Sequence, residues 1–281
     1  MYGHHLSQLS FLNTAHISSN IQLIKDIKGI TTDKSSFEVM TILLETPNNC
    51  FSSDSRHQLV IENNLSYLKF ILSGLMGGIF PDSFEFINKT IFDKQVSLAI
   101  KAEEIWSEKF PNDYSIYNTL IGRVLYAYRD LYSGGSVSNA IGFIWLSPEE
   151  DWDEMNYLEN LIHEYVHNIL FLEEMTNSLF SISAAEMAKP ENCVISAIRR
   201  VPRYFDQAYH AAAVAIVLAE LSVFLNKIDN ARLYLDGVII SLNELKNKKE
   251  IMSTNGYNLL KEMISVSLNI YENIYSLSKA S

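Results

Sequence analysis

Residues 156–172 read NYLENLIHEYVHNILFL, and the interpretation of the whole chain starts from this stretch. Its apolar residues recur at three- and four-residue steps, which predicts an amphipathic helix with one broad apolar face. These residues are Leu158, Leu161, Ile162, Tyr165, Val166, Ile169 and Leu172. We therefore predict a helix that packs into a hydrophobic core.

This helix carries an HExxH motif, formed by His163, Glu164 and His167. Residues four positions apart stack on one side of a helix, so the two imidazoles can bind a single metal ion. Glu164 projects roughly 100° further round the helix, so we assign it as a base or as a partner of the ligands. Imidazoles without partners would be costly on so apolar a helix, which favours a metal site over an ordinary core helix.

The composition is that of a globular protein, because 48% of the 281 residues are hydrophobic and 20% are charged. The net charge of −11 argues against nucleic acid or an anionic membrane as the main partner. Two cysteines far apart, Cys50 and Cys193, are typical of a reducing compartment, and the N-terminus shows no signal-peptide pattern. We therefore expect a cytoplasmic protein with no nucleic-acid and no membrane partner.

The rest of the chain predicts mostly helices with a few short strands. Helical periodicity marks residues 21–27, 37–44, 58–76, 89–110, 114–132, 205–226, 231–246 and 256–278. Residues 140–146, AIGFIWL, and 193–198, CVISAI, are short and rich in branched side chains, so we predict strands there. The first of them is either an ordinary core strand or an edge to which an extended peptide pairs. After it, Ser147 and Pro148 predict a helix start.

These elements indicate one α+β domain over residues 1–281, mostly α-helical, with a few short strands flanking the HExxH helix. Within it, residues 86–228 form the HExxH core and residues 229–281 add C-terminal helices. Residues 1–85 form a variable helical part with a possible role in peptide recognition.

Two residues are candidates for a third metal ligand. His210 opens an apolar, alanine-rich helix, where an imidazole needs something to bind. Glu186 follows His167 after eighteen residues, a spacing similar to the HExxH…Glu pattern of a large group of zinc peptidases. With Glu186 as ligand the metal is zinc, Glu164 is the general base that activates water, and the reaction is peptide hydrolysis.

An arginine cluster, Arg199, Arg200 and Arg203, precedes His210 in a chain that is otherwise poor in basic residues. A guanidinium group holds a carboxylate with two parallel hydrogen bonds. Together with metal-binding histidines, such a group fits an Fe(II) oxygenase that uses 2-oxoglutarate. The alternative is a structural group of ion pairs.

Four segments of the chain together resemble a known family. The residues that carry the resemblance are GFIWLSP at 142–148, LIHEYVH at 161–167 with LF at 170–171, RxxPR at 199–203, and His210 in its alanine-rich helix. They look like the HExxH-motif family of 2-oxoglutarate/Fe(II)-dependent peptide β-hydroxylases, which is associated with ribosomally made, modified peptides. The similarity covers roughly residues 89–225.

The resemblance implies iron held by His163, His167 and His210, and 2-oxoglutarate held by Arg203 or Arg199. It implies a reaction with O2 that hydroxylates a side chain of a precursor peptide at its β-carbon, with aspartate as one candidate. Glu164 would then orient a water, a ligand or the substrate amide. Two other functions stay open: the zinc metallopeptidase with Glu186, and a catalytically silent peptide-binding module.

Overall fold

A computed structural model describes residues 5–30, 33–46, 55–61, 85–129 and 132–280, together with Leu65 and Lys69. In these residues the chain forms nine α-helices and six short strands, which confirms the mostly helical α+β fold class. In chain order the elements are α1 Thr14–Lys28, α2 Ser36–Leu43, β1 His57–Leu59, α3 Lys89–Lys109, α4 Pro111–Leu120, β2 Arg123–Tyr126, β3 Gly134–Gly135, β4 Phe143–Leu146, α5 Glu154–Asn177, α6 Ala184–Met187, β5 Val194–Ile195, β6 Pro202–Arg203, α7 Phe205–Phe224, α8 Ile228–Lys246 and α9 Thr254–Ala280.

The chain divides into two compact units. The first unit contains Ser18–Leu172, and the second contains His5–Ile17 together with Glu173–Ser281. The boundaries between the units fall inside α1 and α5. The division of one domain into residues 1–85, 86–228 and 229–281 stays a prediction.

Local signals set the helix starts in the first unit. Ser35 caps α2 through a capping box with Glu38, and the Asn88 side chain caps α3 by accepting from an amide in its first turn. α4 begins at Pro111, which suits the first helical position because an N–H there has no partner inside the helix. The helices predicted over 21–27, 37–44 and 89–110 are confirmed by α1, α2 and α3.

The helix predicted over 114–132 is wrong beyond Leu120, because the chain turns there into β2. Every residue of β2 is buried, so the strand shows no alternation of polar and apolar side chains. Gly122 separates the two elements, and a Cβ atom there would lie 2.2 Å from the Phe37 ring. The helix predicted over 58–76 is also wrong at its start, which belongs to β1; most of the remainder lies outside the described residues.

The main sheet has the order β1-β2-β4-β3. β1, β2 and β4 are parallel, and β3 pairs antiparallel with β4 so that Gly134 faces Leu146. β4 confirms the strand predicted over 140–146. Since it has a neighbour on each side, its suggested role as a free edge for a peptide is wrong.

The motif helix α5 begins later than its sequence suggests. Asp153 caps it by accepting from the amides of Met155 and Asn156, each at 2.9 Å. Ser147 was the expected cap, but its hydroxyl instead accepts from the Arg129 amide at 2.7 Å and donates to the Arg129 carbonyl. The turn after β4 is therefore fastened to the end of β2.

The second unit is built around α7, which packs along α8 and α9. The strand predicted over 193–198 is confirmed by β5, which pairs antiparallel with β6. Within the described residues one helix, α7, is long and apolar enough to cross a membrane, with a mean hydropathy of 1.4. Of that window 78% is buried inside the fold, as in the core helix of a globular protein.

Candidate metal centre

α5 presents its two motif histidines on its partly exposed side, together with Asn160 and Phe171. The rings of His163 and His167 lie 5.0 Å apart between centroids. Both are half-buried, whereas every other residue from 161 to 170 is fully buried. Residues 161–170 of the helix are therefore buried on most sides, and the two imidazoles stay partly accessible.

Glu164 lies on the buried side of the same turn. Its Oε1 atom is 3.9 Å from His163 Nε2, and its Oε2 atom accepts a hydrogen bond of 2.8 Å from the Ser136 hydroxyl. Ser136 follows β3 and is itself buried. One carboxylate oxygen of Glu164 is thus anchored to the sheet, and the other lies beside the motif histidine.

Asn168, one turn after Glu164, extends this anchorage. Its Nδ2 atom donates to Ser136 Oγ at 3.1 Å and to the Glu164 carbonyl at 2.8 Å. Its Oδ1 atom accepts from the Gly142 amide at 2.7 Å. Sequence reasoning missed Ser136 and Asn168. Asn168 gave one signal in the sequence, because it is a polar residue one helical turn after Glu164 on an apolar face. Ser136 gave no signal, because it lies 28 residues upstream of Glu164.

Two glycines allow the backbone to approach this network. A Cβ atom at Gly134 would lie 2.6 Å from the Trp145 carbonyl oxygen and 3.6 Å from Glu164 Oε1. Gly142 has φ +96°, which is unfavourable for other residues, and a Cβ atom there would meet the Leu120 carbonyl at 2.7 Å. β3 can therefore lie directly against the motif carboxylate.

Behind the motif, α5 is supported by aromatic packing. The Tyr165 ring meets Trp106 edge-on at 5.3 Å and Tyr117 at 6.1 Å. The Tyr117 hydroxyl donates to the buried Glu103 carboxylate at 2.7 Å. Because these rings are fully buried, they fix the rotation of α5 and thereby the direction in which the histidines face.

His210 lies in the second unit, in the second turn of α7, and is 4% exposed. Its Nε2 atom is 4.0 Å from Glu174 Oε2. Burial lowers the pKa of His210 to about 4, so the imidazole is neutral at pH 7, the form in which histidine binds metals. Burial, followed by the charge of Asp206, raises the pKa of Glu174 to about 7.

The three arginines predicted as a cluster, Arg199, Arg200 and Arg203, have different hydrogen-bond partners. Arg203 is half-buried, and its Nε atom donates to Gln207 Oε1 at 2.9 Å. Arg199 is exposed, and its backbone amide donates to Ser196 Oγ at 3.2 Å. Arg200, with φ +58°, donates from its guanidinium to the Leu233 carbonyl. The predicted arginine cluster stays a prediction.

Glu186 lies on the short helix α6 with its side chain 47% exposed. Its carboxylate pairs with Lys189 Nζ at 2.6 Å. Such a surface pair suffices to explain the residue, so its local surroundings give no support to a ligand role.

Sequence reasoning also missed Arg129, a buried arginine in the first unit. It follows β2, its backbone is bonded to Ser147, and its guanidinium lies 4.4 Å from the centre of the Tyr132 ring. No sequence signal singles Arg129 out. The prediction assigned it to a helix over 114–132, but that helix ends at Leu120.

Of the predicted site residues, the structure places His163, Glu164 and His167 together in the first unit, and His210, Arg199, Arg203 and Glu186 in the second. Among the described residues, no group of three or more His, Cys, Asp or Glu side chains has an arrangement that would hold a metal ion. The paired imidazoles and the adjacent carboxylate oxygen nevertheless fit the donor atoms that first-row metals prefer. No family model matches this sequence, and no curated protein matches it either.

Proposed function

We propose that the protein is an Fe(II)- and 2-oxoglutarate-dependent oxygenase that hydroxylates a side chain of a ribosomally made precursor peptide at its β-carbon, with aspartate as the first substrate to test. The observation that carries the proposal is the pair His163 and His167, half-buried side by side on a helix that is otherwise buried there. Two imidazoles one helical turn apart, both partly accessible, are an arrangement that can bind a single metal ion.

In this proposal His163, His167 and His210 hold the metal, as the family resemblance implies. Iron bound to them would couple the oxidative decarboxylation of 2-oxoglutarate to the activation of O2. Glu164 contributes a fixed carboxylate oxygen beside His163, able to accept a hydrogen bond from a water or from the peptide amide. It acts as an orienting group for those molecules.

Of the two candidate arginines, Arg203 is our choice for the 2-oxoglutarate carboxylate. It is half-buried and Gln207 holds its Nε atom, so its terminal nitrogens keep a defined direction. Arg199 is exposed, and a flexible exposed side chain loses more entropy on binding.

The proposed partners are the precursor peptide and O2, with no nucleic acid and no membrane. The net charge of −11 supports this, since like charges repel nucleic acids and anionic lipids. We propose a cytoplasmic location, where ribosomal peptides are made.

The second candidate function is a zinc metallopeptidase. It is favoured by the Glu164 Oε1 atom beside His163, where a general base could reach a metal-bound water. Against it stand the Ser136 bond to Glu164 and the Lys189 pair of Glu186. A silent peptide-binding module is the third candidate, and it requires that neither motif histidine affects metal content or activity.

The test is an anaerobic titration of the metal-free protein with Fe(II) and 2-oxoglutarate, followed by visible absorption. The oxygenase predicts a metal-to-ligand charge-transfer band that is lost in His210→Ala. No band, combined with tight retention of zinc, would favour the peptidase.

A further inference from the structure

The hydrogen bonds around Glu164 form a chain with one possible direction. The Gly142 amide can only donate, so Asn168 must present its oxygen to Gly142 and its NH2 group to Ser136. The hydroxyl of Ser136 therefore accepts from Asn168, and it donates its single hydrogen to Glu164 Oε2 at 2.8 Å in preference to the Glu164 carbonyl oxygen at 3.4 Å. The Gly142 amide thus determines the orientation of the Asn168 side chain, and through it that of the Ser136 hydroxyl, which is bonded to Glu164.

We infer that Ser136 and Asn168 are positioning residues, which act on the metal centre by fixing the Glu164 carboxylate so that Oε1 lies beside His163. This inference rests on the proposed function. It assigns a role to a serine and an asparagine that are not themselves proposed ligands, and it explains why the Oε2 atom of Glu164 is bonded to Ser136.

Burial makes this arrangement rigid. Glu164, Ser136 and Asn168 are 5%, 6% and 0% exposed, so no bulk water is present to replace a lost partner. The chain also joins three elements, since Gly142 precedes β4, Ser136 follows β3, and Glu164 and Asn168 belong to α5. A carboxylate held in this way cannot turn without breaking a buried hydrogen bond.

The geometry also determines which oxygen is available. With Oε2 bound to Ser136 at 2.8 Å, Oε1 is the oxygen that lies 3.9 Å from His163 Nε2. The Ser136 bond opposes rotation of the carboxylate and exchange of its two oxygens. Partners that orient the groups around a metal typically contribute about 10- to 100-fold in metal affinity.

The experiment compares the binding of Co(II), used as a spectroscopic probe, by the wild-type full chain and its variants. We expect Ser136→Ala, which acts one step further from the metal than a partner of a ligand, to weaken Co(II) binding about 3- to 10-fold and to change the visible spectrum of the bound ion. Ser136→Thr keeps the hydroxyl and should restore both. Ser138→Ala, the same substitution at an exposed position of the same loop, is the matched control and should resemble the wild type.

A double-mutant cycle separates positioning from general destabilisation. In a Glu164→Ala background, Ser136→Ala should change the Co(II) affinity by less than about 2-fold, because its effect passes through the carboxylate. If Ser136→Ala does not fold, Ser136→Cys replaces it, since a thiol is only a weak donor.

Wild-type affinity and spectrum in Ser136→Ala or Ser136→Cys would overturn the inference and leave the proposed function standing. An equal loss with and without Glu164 would also overturn it. If the wild type itself does not bind Co(II), the proposed metal centre fails and the inference fails with it.

Discussion

The candidate residues of the first unit are held by a buried network, whereas those of the second unit have mostly local or surface partners. Glu164 is tied through Ser136 and Asn168 to two positions around the sheet. Glu186 pairs with a lysine three residues away on the surface, and Arg199 is exposed. A group whose direction matters in a reaction needs such support, so the comparison favours the first unit as the part that orients the proposed metal centre.

The two units also differ at one glutamate each, Glu103 in the first and the half-buried Glu220 in the second. In the first unit, burial alone would raise the pKa of Glu103, but His57, Arg56 and the Tyr117 hydroxyl bring that pKa below its ordinary value. In the second unit, burial raises the pKa of Glu220 to about 7, although the Ser7 hydroxyl and the Gln8 amide donate to it. In the first unit the partners of Glu103 outweigh the effect of burial on its pKa. In the second unit the partners of Glu220 do not.

The largest effect is expected from the motif pair. His167→Ala should lower Fe(II) affinity by more than about 100-fold, because it removes a ligand rather than a partner of a ligand. Isothermal titration under anaerobic conditions measures it. His16→Ala, at an exposed histidine outside the motif, serves as the control and should bind as the wild type does. Equal affinities in the two variants would remove the distinction between the units.

The next largest effect is expected from the arginines. Arg203→Met should raise the dissociation constant of 2-oxoglutarate about 10- to 100-fold, the contribution of hydrogen bonds between charged groups. Arg199→Met should change it by less than about 3-fold, because that side chain is exposed. The charge-transfer band reports the binding. A loss in Arg129→Met, with Arg203→Met unaffected, would transfer this role to the first unit.

Asn168→Ala tests the network through stability alone. It removes three hydrogen bonds and leaves the Gly142 amide without its acceptor, so the free energy of unfolding should fall by about 2 kcal/mol. Asn160→Ala, which removes an amide bond to a carbonyl four residues earlier in α5, should cost no more than about 0.5 kcal/mol. Urea denaturation compares the two. A similar fall in the free energy of unfolding in both variants would mean that the Asn168 hydrogen bonds stabilise the fold no more than the Asn160 bond does.

Sequence reasoning succeeded where a pattern is local. The helical periodicity of α5 and the apolar length of α7 are properties of single segments, and both helices were predicted, although α5 begins after the expected cap at Ser147. β2 was missed because its buried residues carry neither period, and Ser136 because its partner is 28 residues away. The orientation of Glu164 depends on such distant contacts, so HExxH predicts a metal centre without predicting how its carboxylate is held.

A smaller effect is expected from the pH dependence of Glu220. Its folded pKa of about 7 lies above the ordinary value of 4.5, so the stability it contributes is complete below pH 4.5 and is lost as the pH rises through about 7. We expect a loss of about 1 kcal/mol, below the limit of about 3 kcal/mol set by the shift, because solvent reaches part of the group. Thermal unfolding of Glu220→Gln between pH 4.5 and 8 should show a weaker decline. Glu103 acts in the opposite direction, since its lowered pKa contributes stability that is lost as the pH falls.

The smallest effect is expected from Glu186→Ala. Its carboxylate is 47% exposed and bound to Lys189, so its removal should leave the affinity for Fe(II) or Zn(II) within about 2-fold of the wild type. His210→Ala is the matched comparison within the second unit and should lower metal affinity strongly, because it removes a proposed ligand. Metal content after dialysis measures both variants. The reverse result, with metal lost in Glu186→Ala and kept in His210→Ala, would replace the oxygenase with the zinc peptidase. It would also mean that the Glu186 carboxylate gives up its ion pair with Lys189 in order to bind the metal. This exchange is energetically feasible, because a surface ion pair contributes far less free energy than a metal–ligand bond.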